Sequence, residues 1–434
     1  MPYVNPNYQA PSFFKNHKKL AISAIITVVL LISLIITSAI LHENAENRRL
    51  DAESVTLKKD LEIGYGEIAK VSDFIEQLNG TLVDDFTIDT SELGERTIDF
   101  RYINVKNRER LSHLTINIVD KTPPLIYGNK SYTLPRGYEG ELTNLILSGD
   151  EIDDHPAREV KGEYNLNQVG RYQLEYVVTD ASGNQSSHPF VLYINEPDAI
   201  TTPTTKHDEL PLAELIATHK TAQTKIGIDV SKWQGNIDWP TVKASGVEFA
   251  LIRVGYQNHY DGEYILDPYF EANITAANQL NLPVGVYFYS YANNVKQAEN
   301  QADWVKAQLN GHQAELGIVF DWENWSSFNA AGISFRTLHR ITDTFISNAQ
   351  NSGYLGTVYG SKNYLEKIWG DLNHPVWLAQ YNDHATYNGR YWLWQLSDTG
   401  QVPGIASDVD LNVMYLENTP QLWYNRKIKD KALY

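Results

Sequence analysis

Cysteine is absent from all 434 residues, which excludes a disulfide framework, a thiolate metal site and a cysteine nucleophile. Without such staples the fold must rest on buried apolar surface, and a chain of this length can bury enough. Acidic residues are missing as far as Glu43, whereas Lys15, Lys18 and Lys19 lie in that stretch. The remainder is therefore more acidic than the whole-chain charge of −17 suggests. Such a surface repels phosphate backbones, so no nucleic-acid partner is expected. His259, His312, His339 and His374 lack metal-ligand spacing. Neither a metal nor another cofactor is expected.

Charge is missing again from Leu20 to Leu41, a run dense in Ile, Leu and Val. That run is long enough to cross a hydrocarbon core of about 30 Å. A cleaved signal peptide is the alternative, but its apolar region typically spans ~7–15 residues. Thr37-Ser38-Ala39 is the one weak cleavage motif. The expectation is a signal anchor over 20–41 in the cell membrane, behind a cytoplasmic tail over 1–19. By the positive-inside rule the lysines keep the N-terminus inside and put everything after His42 outside.

From about Val55 to Glu196 short alternating strands follow one another, as in Arg96–Val105 and Tyr172–Thr179. Aligning Leu93-Gly94 with Val169-Gly170 also aligns Ile98 with Leu174, Phe100 with Tyr176 and Asn104 with Asp180. The pattern predicts two tandem all-β sandwiches, over 55–121 and 122–196. The Asp120-Lys-Thr-Pro-Pro124 junction and the Asp180-Ala-Ser-Gly-Asn184 turn resemble bacterial immunoglobulin-like surface repeats. A spacer is the expected role, and a module that binds a protein partner is the alternative.

Residues 197–224, with Thr201-Thr-Pro-Thr-Thr205, read as a linker carrying a short helix near Glu209–His219. Beyond it strands alternate with amphipathic helices. Strand-like runs are Ile226–Val230, Glu248–Val254, Val284–Tyr289, Gly317–Phe320 and Gly356–Tyr359. Val295, Ala298, Ala302, Val305 and Leu309 recur at helical steps, as do Leu338, Ile341, Phe345 and Ala349. Five such units predict a parallel barrel. Val376–Ala379, Tyr391–Gln395 and Val409–Val413 then succeed one another with no helical pattern between them. A parallel connection usually needs a crossover, so the final strand is expected to run antiparallel to its predecessor. That would bring Asp410, at its start, to the rim where the other strands end.

The strand Gly317–Phe320 ends on Asp321-Trp322-Glu323. Alternation points Asp321 and Glu323 to one face, their Cα atoms roughly 6–7 Å apart, and Trp322 to the other. Two carboxyls at the C-terminal end of a barrel strand suit glycoside hydrolysis. Asp229 ends the first strand, or merely caps the loop before Ser231. Asp410 faces the cleft, or is a turn residue beside Asp408. Trp233, Tyr256, Tyr287, Tyr289, Tyr381 and Trp394 are sugar platforms or barrel core. Arg253 pairs with a cleft carboxylate or satisfies a buried acid.

Gly227-Ile-Asp-Val-Ser-Lys-Trp-Gln-Gly235, Ile237-Asp-Trp239, Gly246–Tyr256, Val284–Ser290, Phe320-Asp-Trp-Glu323, Val376–Tyr381, Trp394-Gln395, Pro403-Gly404 and Val409–Asn412 together resemble a family 25 glycoside hydrolase, the lysozymes of bacteria and their phages. The resemblance covers about 225–417 and leaves 418–434 as a tail. It implies an irregular TIM-like (β/α)5β3 barrel. It also implies cleavage of the β-1,4 bond between N-acetylmuramic acid and N-acetylglucosamine in peptidoglycan glycan strands. Glu323 would be the general acid and Asp321 its partner, with Asp229 and Asp410 completing the catalytic acids. Substrate contacts would come from Trp233, Arg253, Tyr256, Tyr287, Tyr289, Tyr381, Trp394 and Gln395. Trp322 stands where the family more often has an aliphatic residue, and no tyrosine follows Gln395. A non-catalytic wall-binding protein, or a glycosidase for another polysaccharide, is the competing reading.

Overall fold

The computed structural model describes residues 13–197, 208–323, 328–370 and 372–421, with side chains left aside over 13–19 and 50–54. The first twelve residues of the expected cytoplasmic tail, the Thr/Pro run of the linker and the tail beyond residue 421 lie outside the described residues. The chain divides into two compact units, 1–121 and 122–434.

The first unit opens with helix α1, Phe13–Ser54. Its apolar stretch has a mean hydropathy of 2.8 and is long enough to cross a membrane. Its leucines, isoleucines and valines are exposed, a costly arrangement in water and a favourable one in lipid. Beyond the apolar stretch, Glu43 and Glu46 pair with Arg108 and Lys106, each at 3.2 Å. Six strands follow: β1 Val55–Leu57, β2 Glu62–Gly64, β3 Ile75–Leu78, β4 Gly80–Leu82, β5 Gly94–Asn104 and β6 Glu109–Val119. They form a β1–β3 pair and a sheet ordered β2-β6-β5-β4. Alternation along β5 and β6 turns Phe100, Tyr102, Leu114, Ile116 and Ile118 into the core with Val71 and Phe74.

The second unit begins with a β module: β7 Leu125–Tyr127, β8 Ser131–Pro135, β9 Leu147–Gly149, β10 Ala157–Lys161, β11 Gly170–Thr179 and β12 Gln185–Asn195. Its sheet is ordered β10-β11-β12-β8, with β12 parallel to β8 and antiparallel to β11. In the first unit β6 is likewise parallel to β2 and antiparallel to β5. The two sheets therefore share order and sense, and Gly94 and Gly170 occupy equivalent strand starts.

The rest of this unit is a barrel-like sheet. Its strands are β13 Leu210–Pro211, β14 Thr224–Val230, β15 Phe249–Gln257, β16 Tyr264–Leu266, β17 Val284–Tyr289, β18 Gly317–Asp321, β19 Gly356–Ser361, β20 Val376–Ala379, β21 Leu393–Gln401 and β22 Val409–Tyr415. Pairing runs parallel from β14 through β15, β17, β18, β19 and β20 to β21. β22 then closes the ring, antiparallel to both β21 and β14. The helices that accompany the strands include α2 Leu212–His219, α3 Trp239–Ala244, α4 Phe270–Gln279, α5 Val295–Leu309, α6 Phe328–Ala331 and α7 Phe335–Asn351. The periodic residues Ala298, Ala302, Val305 and Leu309 of α5 are buried, as are Leu338, Ile341, Phe345 and Ala349 of α7. Gly246 and Gly353 hold φ of 108° and 89° after α3 and α7, a left-handed turn that glycine makes without strain.

From residue 208 onward the stretch read as linker is structured, and the short helix expected near Glu209–His219 is α2. β13 pairs with β21, and α2 buries Leu212 and Leu215 in the barrel's outer core. Two leucines one turn apart suffice to dock this helix, which is why a short polar-looking segment is nevertheless structured.

Candidate active site

Alternation sorts the barrel residues into two sets. Ile228, Val230, Ile252, Val254, Val286, Phe288, Ile318, Phe320, Val358, Leu378, Leu411 and Val413 face the helices. Phe249, Leu251, Tyr287, Val319, Tyr359, Trp377, Leu393 and Met414 fill the interior. Above that floor, at the C-terminal ends of the parallel strands, lie Asp229, Asp321 and Glu323. The antiparallel sense of β22 puts its first residues on the same rim, where Asp410 is the direct partner of Asp229.

Asp229 is buried, and its Oδ2 accepts from Asn412 Nδ2 at 2.6 Å and Gln395 Nε2 at 3.0 Å. Gln395 is fixed in turn, its Oε1 accepting from the hydroxyls of Tyr359 at 2.8 Å and Tyr381 at 3.2 Å. With both its amide hydrogen-bonding roles defined, Gln395 can only donate to Asp229. Burial, then the Asp229 charge and a hydrogen bond to that carboxylate, push Asp410 up to about 10. Burial raises Asp229 as well, while its hydrogen bonds from Asn412 and Gln395 work in the opposite direction.

Asp321 closes β18 between Tyr289 and Tyr359 of the neighbouring strands. Its Oδ1 is buried without a hydrogen-bond partner among the described residues. Burial and the adjacent Glu323 raise its carboxyl well above the usual range, and Arg253 opposes them. Glu323 is held at about 7, chiefly by burial and then by Asp229. A carboxyl that keeps its proton near neutrality can donate it during a reaction.

One side of the cleft, about 500 Å³, is walled by Trp233, Tyr256, Tyr260, Tyr289, Tyr291 and His259. Trp233 is 72% exposed, and the Lys232 ammonium lies 4.9 Å from its ring centroid and 5.3 Å from that of Tyr256. Tyr381 is partly exposed on the rim. These rings offer flat apolar faces to a sugar.

At three residues the structure favours the second of the two readings that the sequence left open, core or buried partner over substrate contact. Trp394 is 1% exposed and faces the helices, its Nε1 donating to Gln380 O and its ring edge-on to His219. Alternation requires this: Gln395 points inward, so its neighbour cannot. Tyr287 lies a layer below the rim, packed against Trp377 at 5.8 Å, and is floor rather than platform. The Arg253 guanidinium is engaged by buried Asp267, at 2.7 Å and 2.9 Å, and reaches Asp321 through its charge alone. Asn412, Tyr359 and Trp377 were not singled out from the sequence. The signal was present for Asn412, two residues from Asp410 and therefore on the same face.

The buried acid pair makes a testable statement about stability. The folded-state pKa of Asp410 is raised, so its ionisation opposes folding, and stability falls as pH rises from the unfolded value near 4 towards about 10. Asp410→Asn removes that charge and leaves an amide able to donate to Asp229. The substitution is expected to raise the melting temperature at pH 8 and to change it little at pH 4. Equal shifts at both pH values would show that the carboxyl does not titrate upward.

The model of the Glycosyl hydrolases family 25 matches residues 228–405. The uncharacterized protein YegX of Escherichia coli (strain K12) is 30% identical over 191 residues, 43% of this chain and 68% of its own length. Lysozyme M1 of Streptomyces globisporus is 30% identical over 200 residues, 43% of this chain and 66% of its own. Among solved structures, the modular autolysin LytC from Streptococcus pneumoniae, in complex with a synthetic peptidoglycan ligand, aligns over 56% of each chain at 25% identity and a TM-score of 0.41. The chain thus spans about half the length of that autolysin. The matched region carries all four acids except Asp410, which follows within five residues of its end. The chain belongs to glycosyl hydrolase family 25.

Proposed function

We propose that the chain hydrolyses the β-1,4 bond between N-acetylmuramic acid and N-acetylglucosamine in peptidoglycan, with Glu323 as general acid. The observation that carries this reading is a carboxyl held at about 7 beside a second, buried carboxyl on one barrel rim. Glu323 donates its proton to the leaving glycosidic oxygen as the C1–O bond breaks. Asp321 presents an unpartnered buried oxygen, suited to accept the N–H of the sugar's own 2-acetamido group. That contact aims the acetamido oxygen at C1; water then opens the resulting ring on the same face, its proton passing to the Glu323 carboxylate and restoring the acid. The route predicts retention of configuration. The paired Asp229 and Asp410, tied to Gln395 and Asn412, shape the floor under the reacting ring.

Purified cell walls should lose turbidity and gain muramic acid reducing ends with retained anomeric configuration. New glucosamine reducing ends would overturn the bond assignment, and an inverted anomer would overturn the role of Asp321. The rate should fall as pH rises through about 7, because Glu323 then loses the proton it must give. An alkaline limb displaced by two or more pH units would remove Glu323 from that role.

The same reading places α1 as a single-pass anchor, with the cytoplasm on its N-terminal side and both β modules, immunoglobulin-like in kind, outside. The lysozyme similarity and the apolar run support an enzyme tethered near the wall it cuts, where tethering raises its effective concentration. External protease should release an active fragment from membranes. A soluble native protein starting near Ile40 would instead identify a cleaved signal peptide.

A further inference from the structure

The β module of the second unit grips the segment that leaves the catalytic strand. Helix α7 starts twelve residues after Glu323, and the first amides of a helix have no partners within it. Here the module supplies most of them. Ser334 N–H donates to Asp154 Oδ1 at 2.6 Å, Phe335 N–H to Asp150 O at 2.8 Å and Arg336 N–H to Glu151 O at 3.0 Å. Thr337 N–H turns to the Ser334 hydroxyl, while the Thr337 hydroxyl donates to Asp154 at 2.9 Å. The short helix α6 is held in the same way. The Asn329 amide donates to Ile146 O at 2.9 Å, and its oxygen accepts from Ser148 N–H at 3.1 Å. Apolar contacts close the joint. Phe328 and Phe335 stack at 5.6 Å against Gly149, where a Cβ would come within 2.5 Å of one ring and 2.7 Å of the other.

This grip bears on the acid. Glu323 lies beyond the last residue of β18, so the strand ladder alone does not fix it. Trp322, its neighbour, is anchored through Nε1 to Ala292 O and packs edge-on against Phe328 at 6.0 Å. Phe328 is in turn seated on the module.

We propose that this module is a positioning element of the active site rather than a spacer, with Asp154 its principal side chain. It holds the 328–337 segment and, through Phe328 and Trp322, the placement of Glu323. The inference rests on Glu323 being the general acid.

In the full-length chain, Asp154→Ala is expected to lower kcat roughly ten- to a hundredfold, the scale on which small misplacements of reacting groups act. KM should change little, and the alkaline limb should move from about 7. Asp154→Asn should restore most of the rate, because an amide oxygen still accepts from Ser334 and Thr337. Gly149→Val, which drives a wedge between the two phenylalanines without touching any acid, should reproduce the loss. Hydrogen exchange over 328–337 should accelerate in both damaging variants. Faster exchange with unchanged kcat and pH profile would overturn the proposal, as would unchanged exchange. Activity of the unmodified chain on peptidoglycan is measured first, so failure of the hydrolase reading appears there and not in the variants.

Discussion

Replacing Glu323 by Gln is expected to lower turnover on peptidoglycan by roughly 10²–10⁴-fold, the usual contribution of a positioned general acid. The substitution keeps the side-chain shape and removes the carboxyl whose proton is lost near neutrality. The fold should survive, because among the described residues Glu323 makes no hydrogen bond on which the barrel depends; its surroundings penalise its charge rather than use it. Stability should even rise slightly above pH 7, where the wild-type group must ionise in a largely desolvated setting. Glycan binding should persist if the exposed rings of Trp233, Tyr256 and Tyr381 carry it, since the substitution leaves them untouched. A variant with more than about half the wild-type rate would show that another group protonates the leaving oxygen. The alkaline limb distinguishes the cases: it should vanish from the residual activity if Glu323 causes it.

How much of this site could be read beforehand depended on whether the signal was local. Period-two alternation sends Asp321 inward and Trp322 outward, and the structure places them so. The missing helical pattern after Ala379 implied an antiparallel last strand, and that orientation brings Asp410 opposite Asp229. Aromatic character alone leaves Trp394 between sugar platform and barrel core, and the same alternation, with Gln395 pointing inward, decides for core. The joint between the β module and α7 had no readable signal. Half of its bonds join backbone amides and carbonyls, which every residue type carries, and the rest meet at the Asp154 carboxylate, about 180 residues away in sequence. Gly149 offered only a glycine in a strand, which has many meanings before the two rings that need its missing Cβ are known. The docking of α2 fell between these cases, since its two buried leucines were visible but short helices carry little periodicity.

The largest effect on stability is expected at Trp377. Its ring is 1% exposed in the barrel interior, with its centroid 4.7 Å from Tyr359 and 5.8 Å from Tyr287, edge to face with both. Truncating a buried Trp to Ala typically costs ~3–5 kcal/mol through lost burial and the cavity left behind. A second loss follows from chemistry rather than volume. Trp377 Nε1 donates to Asn412 Oδ1 at 2.8 Å, and Asn412 Nδ2 donates to Asp229 at 2.6 Å. Without the indole, a fully buried amide oxygen is left unsatisfied, at about 1–3 kcal/mol. The two losses share one site and will not simply add. Even the lower value is a large share of the 5–15 kcal/mol typical of a domain. Trp377→Phe keeps most of the packing and drops only the donor, so the pair of variants separates the two causes. Denaturant midpoints followed by near-ultraviolet circular dichroism would measure both. A Trp377→Ala cost below about 1 kcal/mol would mean that the floor relaxes around the hole. If the floor is as rigid as its packing implies, Trp377→Phe should also lower activity, because Asn412 is then free to turn and Asp229 loses one of its two amide donors.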